Sequence, residues 1–120
     1  MFQVWRNAIE KASLDYPDAQ VLVDEPGNFD WRVARDKIRK ALRDFPEINV
    51  VLSARDQMSR GVELAIRSAH KRPGQDIRIY SMGATRQGVR KVRRGIYYET
   101  TVLLPWEEGY YSAVALIAAL

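Results

Sequence analysis

The chain has 120 residues, and 47% of them are hydrophobic, which is enough apolar material for the core of one domain. It has no cysteine, a single histidine (His70) and no clustered carboxylates, so we expect no disulfide, no metal site and no other cofactor. No run reaches the roughly 18 apolar residues of a transmembrane helix, and the first residues lack the charged and apolar regions of a signal peptide.

The charge is moderately basic, with 19 Lys and Arg against 15 Asp and Glu. The basic residues fall into two groups, at 32–43 and 86–94. The first lies opposite an apolar stripe at helical spacing and is typical of a solvated helix face. The second is denser and is the better candidate for contact with an anionic partner. Neither has the interleaved aromatic residues of a single-strand binder, so no nucleic-acid partner is expected.

In chain order, a helix is expected at 2–14, with Val4, Trp5, Ala8, Ile9 and Ala12 on one face. A buried strand at 20–24 should follow, and then a loop whose Asp30 caps a helix up to about Phe45. Pro46 closes that helix. Since the chain begins directly in a helix, a leading strand of the fold is expected to be missing.

Residues 48–54 and 76–82 predict two strands joined by a helix at 56–72. A helix at 85–94, stopped by Gly95, a strand at 98–104 and a helix at 106–120 complete the pattern. Short connections and nearly continuous apolar strands indicate a parallel sheet with covered faces. The predicted fold is α/β: a three-layer, doubly wound, flavodoxin-like sheet of four to five parallel strands with helices on both faces.

Polar residues follow two of these strands, at 53–56 (Ser-Ala-Arg-Asp) and 81–85 (Ser-Met-Gly-Ala-Thr). The carboxyl ends of parallel strands share one edge of a sheet, where ligands bind in such folds. Asp56 is a candidate cap of the helix that it begins, and Thr85 of the next helix. The backbone amides near Gly83 are candidate donors to an anion or hydroxyl. No catalytic arrangement can be assembled, so the chain is not predicted to be an enzyme.

The stretch from Ile48 to Thr85 resembles the C-terminal lobe of the type I periplasmic sugar-binding proteins, whose fold also forms the effector-binding core of LacI-type repressors. The family pattern is a strand, then "nDemA" opening a helix, then a strand ending in "GfDgt". Asp56 matches the Asp of the first motif, and Gly27-Asn-Phe-Asp-Trp31 matches the family's "dWdr" or "dFdr" segment. The resemblance extends over about residues 2–120.

The resemblance implies that Phe29 stacks on a sugar ring, as apolar sugar faces favour aromatic planes. Trp31 is the alternative stacker, although its helical phase with Ala34 and Ile38 favours a core position. Arg55 stands where the family offers an Asn, and Arg55 and Asp56 would hydrogen-bond the ligand. The ligand-binding residues are thus expected to be Phe29, Arg55, Asp56, Gly83 and Thr85.

The chain also departs from the family at two sugar-binding positions. Gly83 replaces the Asp of "GfDgt", and Leu103 aligns with a sugar-contacting Gln. Each lost polar contact is worth about 1–3 kcal/mol. The departures leave three alternatives for the ligand: a less hydroxylated solute, an anionic solute, or no small molecule at all.

Residues 106–120 are apolar nearly all round, and such a helix requires burial on several sides. The resemblance implies that residues 1–120 form one lobe of a two-lobe protein, and that this crossover helix packs on a missing N-terminal lobe. Without that lobe, the helix is expected to fold back onto its own sheet or to mediate self-association.

The function that the resemblance implies is the binding of a solute, a sugar or a related small polar molecule, for an ABC importer or membrane sensor in the periplasm or another extracytoplasmic location. Its partners would be the solute, the missing lobe and a membrane permease or sensor. Two alternatives stay open: the effector-binding core of a LacI-type regulator, and a protein-interaction domain without a ligand.

Overall fold

A computed structural model describes residues 2–119. Its helices are α1 (Phe2–Asp15), α2 (Trp31–Asp44), α3 (Asp56–Ser68), α4 (Arg86–Arg93) and α5 (Pro105–Ala118). Its strands are β1 (Val50–Leu52), β2 (Arg78–Met82) and β3 (Glu99–Thr101). In this part of the chain, no helix is long and apolar enough to cross a membrane.

The sheet is parallel, with the order β1-β2-β3. Val51 pairs with Ile79, and Ser81 pairs with Thr100. The α/β flavodoxin-like fold is therefore confirmed, but the sheet has three strands where four to five were expected.

The strand predicted at 20–24 does not form, so that prediction is wrong. This segment contains no regular secondary structure, and Val21 and Val23 are exposed. A cavity of about 300 Å³ separates residues 22–25 from α2. The apolar run satisfied the pattern for a strand, yet a strand forms only where a neighbour accepts its backbone hydrogen bonds.

The core lies between the sheet and the helices α2 and α3. Its central cluster of buried side chains consists of Leu42, Val51, Val62, Ile66, Ile77, Ile79 and Tyr97. Gly61 lets α3 approach α2 closely, because a β-carbon there would lie 1.9 Å from the carbonyl oxygen of Trp31. These contacts fix the starts of α2 and α3 relative to the carboxyl edge of the sheet.

The helices α1 and α5 lie outside this core. No residue of α5 is buried, and none of the α1 residues whose burial is described is buried. The radius of gyration is 16.2 Å, against about 14 Å for a compact chain of this length. The expectation that residues 106–120 fold back onto the sheet is therefore wrong, because the side chains of α5 that the structure describes pack against no core. Self-association stays a prediction.

Candidate functional site at the carboxyl edge of the sheet

The carboxyl edge of the sheet is formed by the starts of α2, α3 and α4 with the loops before them. Asp30 caps α2 by accepting a hydrogen bond from the Arg32 amide at 2.7 Å. Thr85 caps α4 by accepting one from the Gly88 amide at 3.0 Å. Both caps were predicted and are confirmed.

Asp56 does not cap α3, and that expectation is wrong. Arg55 occupies the capping position, and Asp56 is the first helical residue. Its carboxylate instead crosses to the neighbouring strands and to α4. Oδ1 accepts hydrogen bonds from the hydroxyls of Ser81 at 2.5 Å and Thr100 at 2.8 Å. Oδ2 accepts from the amide and the hydroxyl of Thr85, at 2.8 and 2.7 Å.

The balance of burial and hydrogen bonding keeps Asp56 ionised. Burial alone raises the pKa of this carboxyl, but the hydrogen bonds from Ser81, Thr85 and Thr100 outweigh it and lower the pKa. A buried carboxylate in which each oxygen accepts two hydrogen bonds has a fixed position and orientation. Asp56 therefore fixes the loop between β2 and α4 to the start of α3. That Asp56 hydrogen-bonds a ligand stays a prediction.

The loop at 83–85 has unusual backbone angles. Gly83 has φ +131° and Ala84 has φ +46°. Their amides donate to the Thr101 carbonyl at 2.9 Å and to the Thr100 hydroxyl at 3.0 Å. Since the Thr85 amide donates to Asp56, the amides that sequence analysis offered to an anion are already bonded within the protein.

Phe29 lies in a second loop at this edge. Its side chain is 66% exposed, and both Asn28 (φ 51°) and Phe29 (φ 55°) have left-handed backbones. Such conformations cost of order 1–3 kcal/mol in non-glycine residues and cluster at ligand sites. The loop abuts α3, because a β-carbon on Gly27 would lie 2.6 Å from the sulfur of Met58. Phe29 and Arg55 therefore lie at the same end of the sheet.

Arg55 is half-buried, and its guanidinium has no hydrogen bond or ion pair within the described residues. Gly83 is half-buried and Thr85 is exposed.

Trp31 is half-buried, with three guanidinium groups against its ring, from Arg32, Arg35 and Arg60. Sequence analysis placed Ser81 at this edge but missed that Ser81 and Thr100 bind Asp56 and that Arg60 packs against Trp31, because no local pattern joins residues so distant along the chain. Within the described chain, no group of three or more metal-ligating side chains occurs.

Comparison with known protein families and with curated proteins finds no match. Solved structures do match. The periplasmic binding protein of the arabinose ABC transporter from Shewanella sp. ANA-3, bound to arabinofuranose, is 23% identical, with a TM-score of 0.79 over 91% of this chain and 37% of its own.

Two further structures extend this likeness. A protein from Mycobacterium smegmatis in complex with β-D-fucofuranose is 30% identical, with a TM-score of 0.65 over 68% of this chain and 27% of its own. A LacI family transcriptional regulator from Arthrobacter sp. FB24, in complex with lactose, is 24% identical, with a TM-score of 0.60 over 73% of this chain and 32% of its own.

The chain thus spans about a third of the length of the structures it matches. These structures include a periplasmic binding protein and a regulator, and they share the α/β lobe described above. The chain has the fold of a lobe of the type I periplasmic binding proteins, a fold that LacI-type regulators share.

Proposed function

We propose that this chain is the ligand-binding lobe of an extracytoplasmic solute-binding protein that serves an ABC importer or a membrane sensor. The proposed ligand is a sugar or a related small polar solute. The observation that carries the proposal is the convergence of Phe29, Arg55, Gly83 and Thr85 on one edge of the sheet. The matched sugar-binding structures support it.

Each of these residues suits a different part of such a ligand. The exposed ring of Phe29 offers a flat apolar surface to a sugar ring. The guanidinium of Arg55 offers several hydrogen-bond donors and has no partner in the described chain. Gly83 and Thr85 form a small loop beside it, in which the Thr85 hydroxyl donates to Asp56 and accepts from the Gly88 amide, so it could only accept a further hydrogen bond from a ligand. Asp56 lines the same edge and keeps this loop in place through its four hydrogen bonds.

One lobe alone leaves a bound solute open to water on its other side. We propose that a second lobe closes over this edge, and that α5 packs on that lobe. The support is the apolar surface of α5, where Trp106, Tyr111 and Ile117 are each about 70% exposed. This chain also covers only about a third of the matched structures. A membrane permease or sensor would then contact the closed pair.

The test is a ligand-observed NMR titration of this chain with a panel of pentoses and hexoses, since such experiments detect weak binding. Arg55→Ala should weaken binding of the best sugar by about 10-fold or more, because hydrogen bonds to a charged group contribute about 1.5–3 kcal/mol. Phe29→Ala should weaken it by a smaller factor.

The matched control is Arg43→Ala, which removes an exposed arginine from the last turn of α2, at the opposite end of that helix. It should leave affinity unchanged. The proposal is wrong if neither these sugars nor their carboxylate and phosphate derivatives bind, or if Arg55→Ala binds as the unchanged protein does.

A LacI-type regulator core is the second candidate, supported by the matched regulator from Arthrobacter. The coding sequence in frame upstream of Met1 discriminates between the two. A signal peptide and a second lobe favour solute binding, whereas a helix-turn-helix segment and a second lobe favour the regulator. A protein-interaction domain without a ligand, the third alternative, is contradicted by any specific sugar binding at this edge.

A further inference from the structure

Three guanidinium groups surround the ring of Trp31 at the start of α2. They belong to Arg32, Arg60 and Arg35, at 4.6, 5.0 and 5.6 Å from the ring centroid. Arg35 is neutralised by Asp36, to which it donates two hydrogen bonds. Arg32 and Arg60 have no carboxylate partner among the described residues. The ring therefore brings together three guanidinium groups, of which those of Arg32 and Arg60 have no ion pair in the described chain.

Two more arginines continue this charged surface along the edge. Arg55 precedes α3, and Arg86 is the first residue of α4. The hydrogen bonds from Thr85 to Asp56 place these two helix starts side by side. Neither guanidinium has an ion pair in the described chain. The edge thus presents Arg32, Arg55, Arg60 and Arg86 without counter-ions.

Within the described chain, the carboxylates at the edge have other partners and form no ion pair with these four arginines. Asp30 caps α2, and Asp56 is buried with four hydrogen bonds. Glu25 is paired with Lys37 at 2.7 Å. The acids that remain are Glu107 and Glu108, in the first turn of α5 beyond β3.

The guanidinium groups along this edge have hydrogen-bond donors that no described residue uses. The carboxylates of Asp30 and Asp56 already lie at the starts of α2 and α4, so the dipoles of these two helices are offset within the protein. A bound anion would accept hydrogen bonds from the free guanidinium groups and would reduce the repulsion between them. Since the amides of residues 83–85 are already bonded, the donors would be these side chains.

We infer that the solute bound at this edge is an anion, with a carboxylate or phosphate group on a sugar-like scaffold. This inference rests on the proposed function. The arginines near Trp31 and at the starts of α3 and α4 would bind the charged group, and Phe29 would contact the ring.

The experiment titrates this chain with D-glucose, D-glucuronate, D-glucose 6-phosphate and inorganic phosphate, followed by amide NMR shifts. At least one of the two charged sugars should bind about 10-fold or more tightly than glucose, as expected for charge-assisted hydrogen bonds. Arg60→Gln should reduce that advantage several-fold. Arg43→Gln, which removes the same charge from an exposed position in the last turn of α2, should not.

The outcomes separate this inference from the proposed function. If glucose binds as tightly as both charged sugars, the inference is overturned and solute binding stands. If no sugar binds, both fail. If phosphate alone binds as tightly as glucose 6-phosphate, or if Arg60→Gln leaves the preference intact, the arginines form only a general anion patch and the inference is overturned.

Discussion

Two regions of the molecule differ sharply in how many of their side chains are buried. The packed unit, residues 27–101, contains all the buried core side chains. The attached segments, residues 2–26 and 102–119, contain no buried residue among those whose burial is described. All five proposed ligand-binding residues belong to the packed unit. A site needs rigid support, so the difference identifies the part of the chain that could bind a solute unaided.

The attached segment 2–26 is linked to the packed unit by surface contacts. Glu25 pairs with Lys37 of the packed unit at 2.7 Å, whereas Arg6 pairs with Asp24 inside the attached segment. Exposed ion pairs of this kind contribute about 0–1 kcal/mol each. In contrast, full burial of one large apolar side chain contributes about 1.5–3 kcal/mol. Stability should therefore depend on the packed unit almost alone.

The largest expected effect comes from shortening matched isoleucines in the two regions. Ile66 is fully buried in α3, whereas Ile117 in α5 is 71% exposed. Ile66→Ala should lower the free energy of unfolding by about 2–5 kcal/mol, through lost burial and a cavity. Ile117→Ala should change it by less than about 0.5 kcal/mol. Urea unfolding followed by circular dichroism measures both. Equal losses would show that α5 is packed in solution.

Two helical glycines give the next comparison. A β-carbon on Gly61 would collide with the backbone of Trp31, whereas one on Gly109 would meet nothing within 4 Å. Gly61→Ala should destabilise the protein by about 1–3 kcal/mol or more, because α2 and α3 must separate. Gly109→Ala should not destabilise it, since alanine favours the helix. The same urea experiment decides, and a harmless Gly61→Ala would contradict the close helix approach.

Asp56 makes the stability of the packed unit depend on pH. Its folded-state pKa is lowered, so its contribution is present above its unfolded pKa, about 3.9, and is lost as pH falls through the folded value. Asp56→Asn should cost about 1–3 kcal/mol at pH 7, because it breaks a buried network.

The difference between Asp56→Asn and the unchanged protein should stay constant from pH 7 to about 5 and should shrink as pH falls below about 4. Urea midpoints at several pH values measure it. Asp76→Asn should show a pH dependence of the same sign, because Arg72 lowers the pKa of that exposed carboxyl to about 2. A pH-independent difference for Asp56→Asn would show that its charge does not support the fold.

The smallest effect is expected at Tyr97. Its hydroxyl is buried without a hydrogen-bond partner in the described chain, and burial raises its pKa. Because an unpaired buried hydroxyl is costly, Tyr97→Phe should stabilise the protein by up to about 1 kcal/mol. Tyr98→Phe, at an exposed position of the same loop, should be neutral. A loss of stability in Tyr97→Phe would mean that the hydroxyl has a partner in solution.

The sequence predicted the packed unit well because its signals are local. The β1–α3–β2 order follows from apolar runs and turn residues, and the caps Asp30 and Thr85 act within three residues of their own positions. Arg55, Gly83 and Thr85 could be assigned to one edge because parallel strands end together. Phe29 was assigned to this edge through the family resemblance and a strand at 20–24 that does not form.

The errors arose where distant parts of the chain decide the structure. Asp56 fits a local capping pattern, but its partners Ser81 and Thr100 lie 25 and 44 residues away. Segment 20–24 has the composition of a strand, and its neighbour in the sheet is not specified by that composition. Likewise, the arginines around Trp31 are brought together by the packing of α2 on α3.

The most direct test of solute binding at the carboxyl edge is a map of amide NMR shifts when the tightest-binding sugar is added to this chain. The account predicts shifts at Phe29, Arg55 and residues 83–85, and none at Gly74, Asp76 or Gly95 at the opposite end. Shifts confined to the attached segments, or spread evenly over the chain, would contradict it.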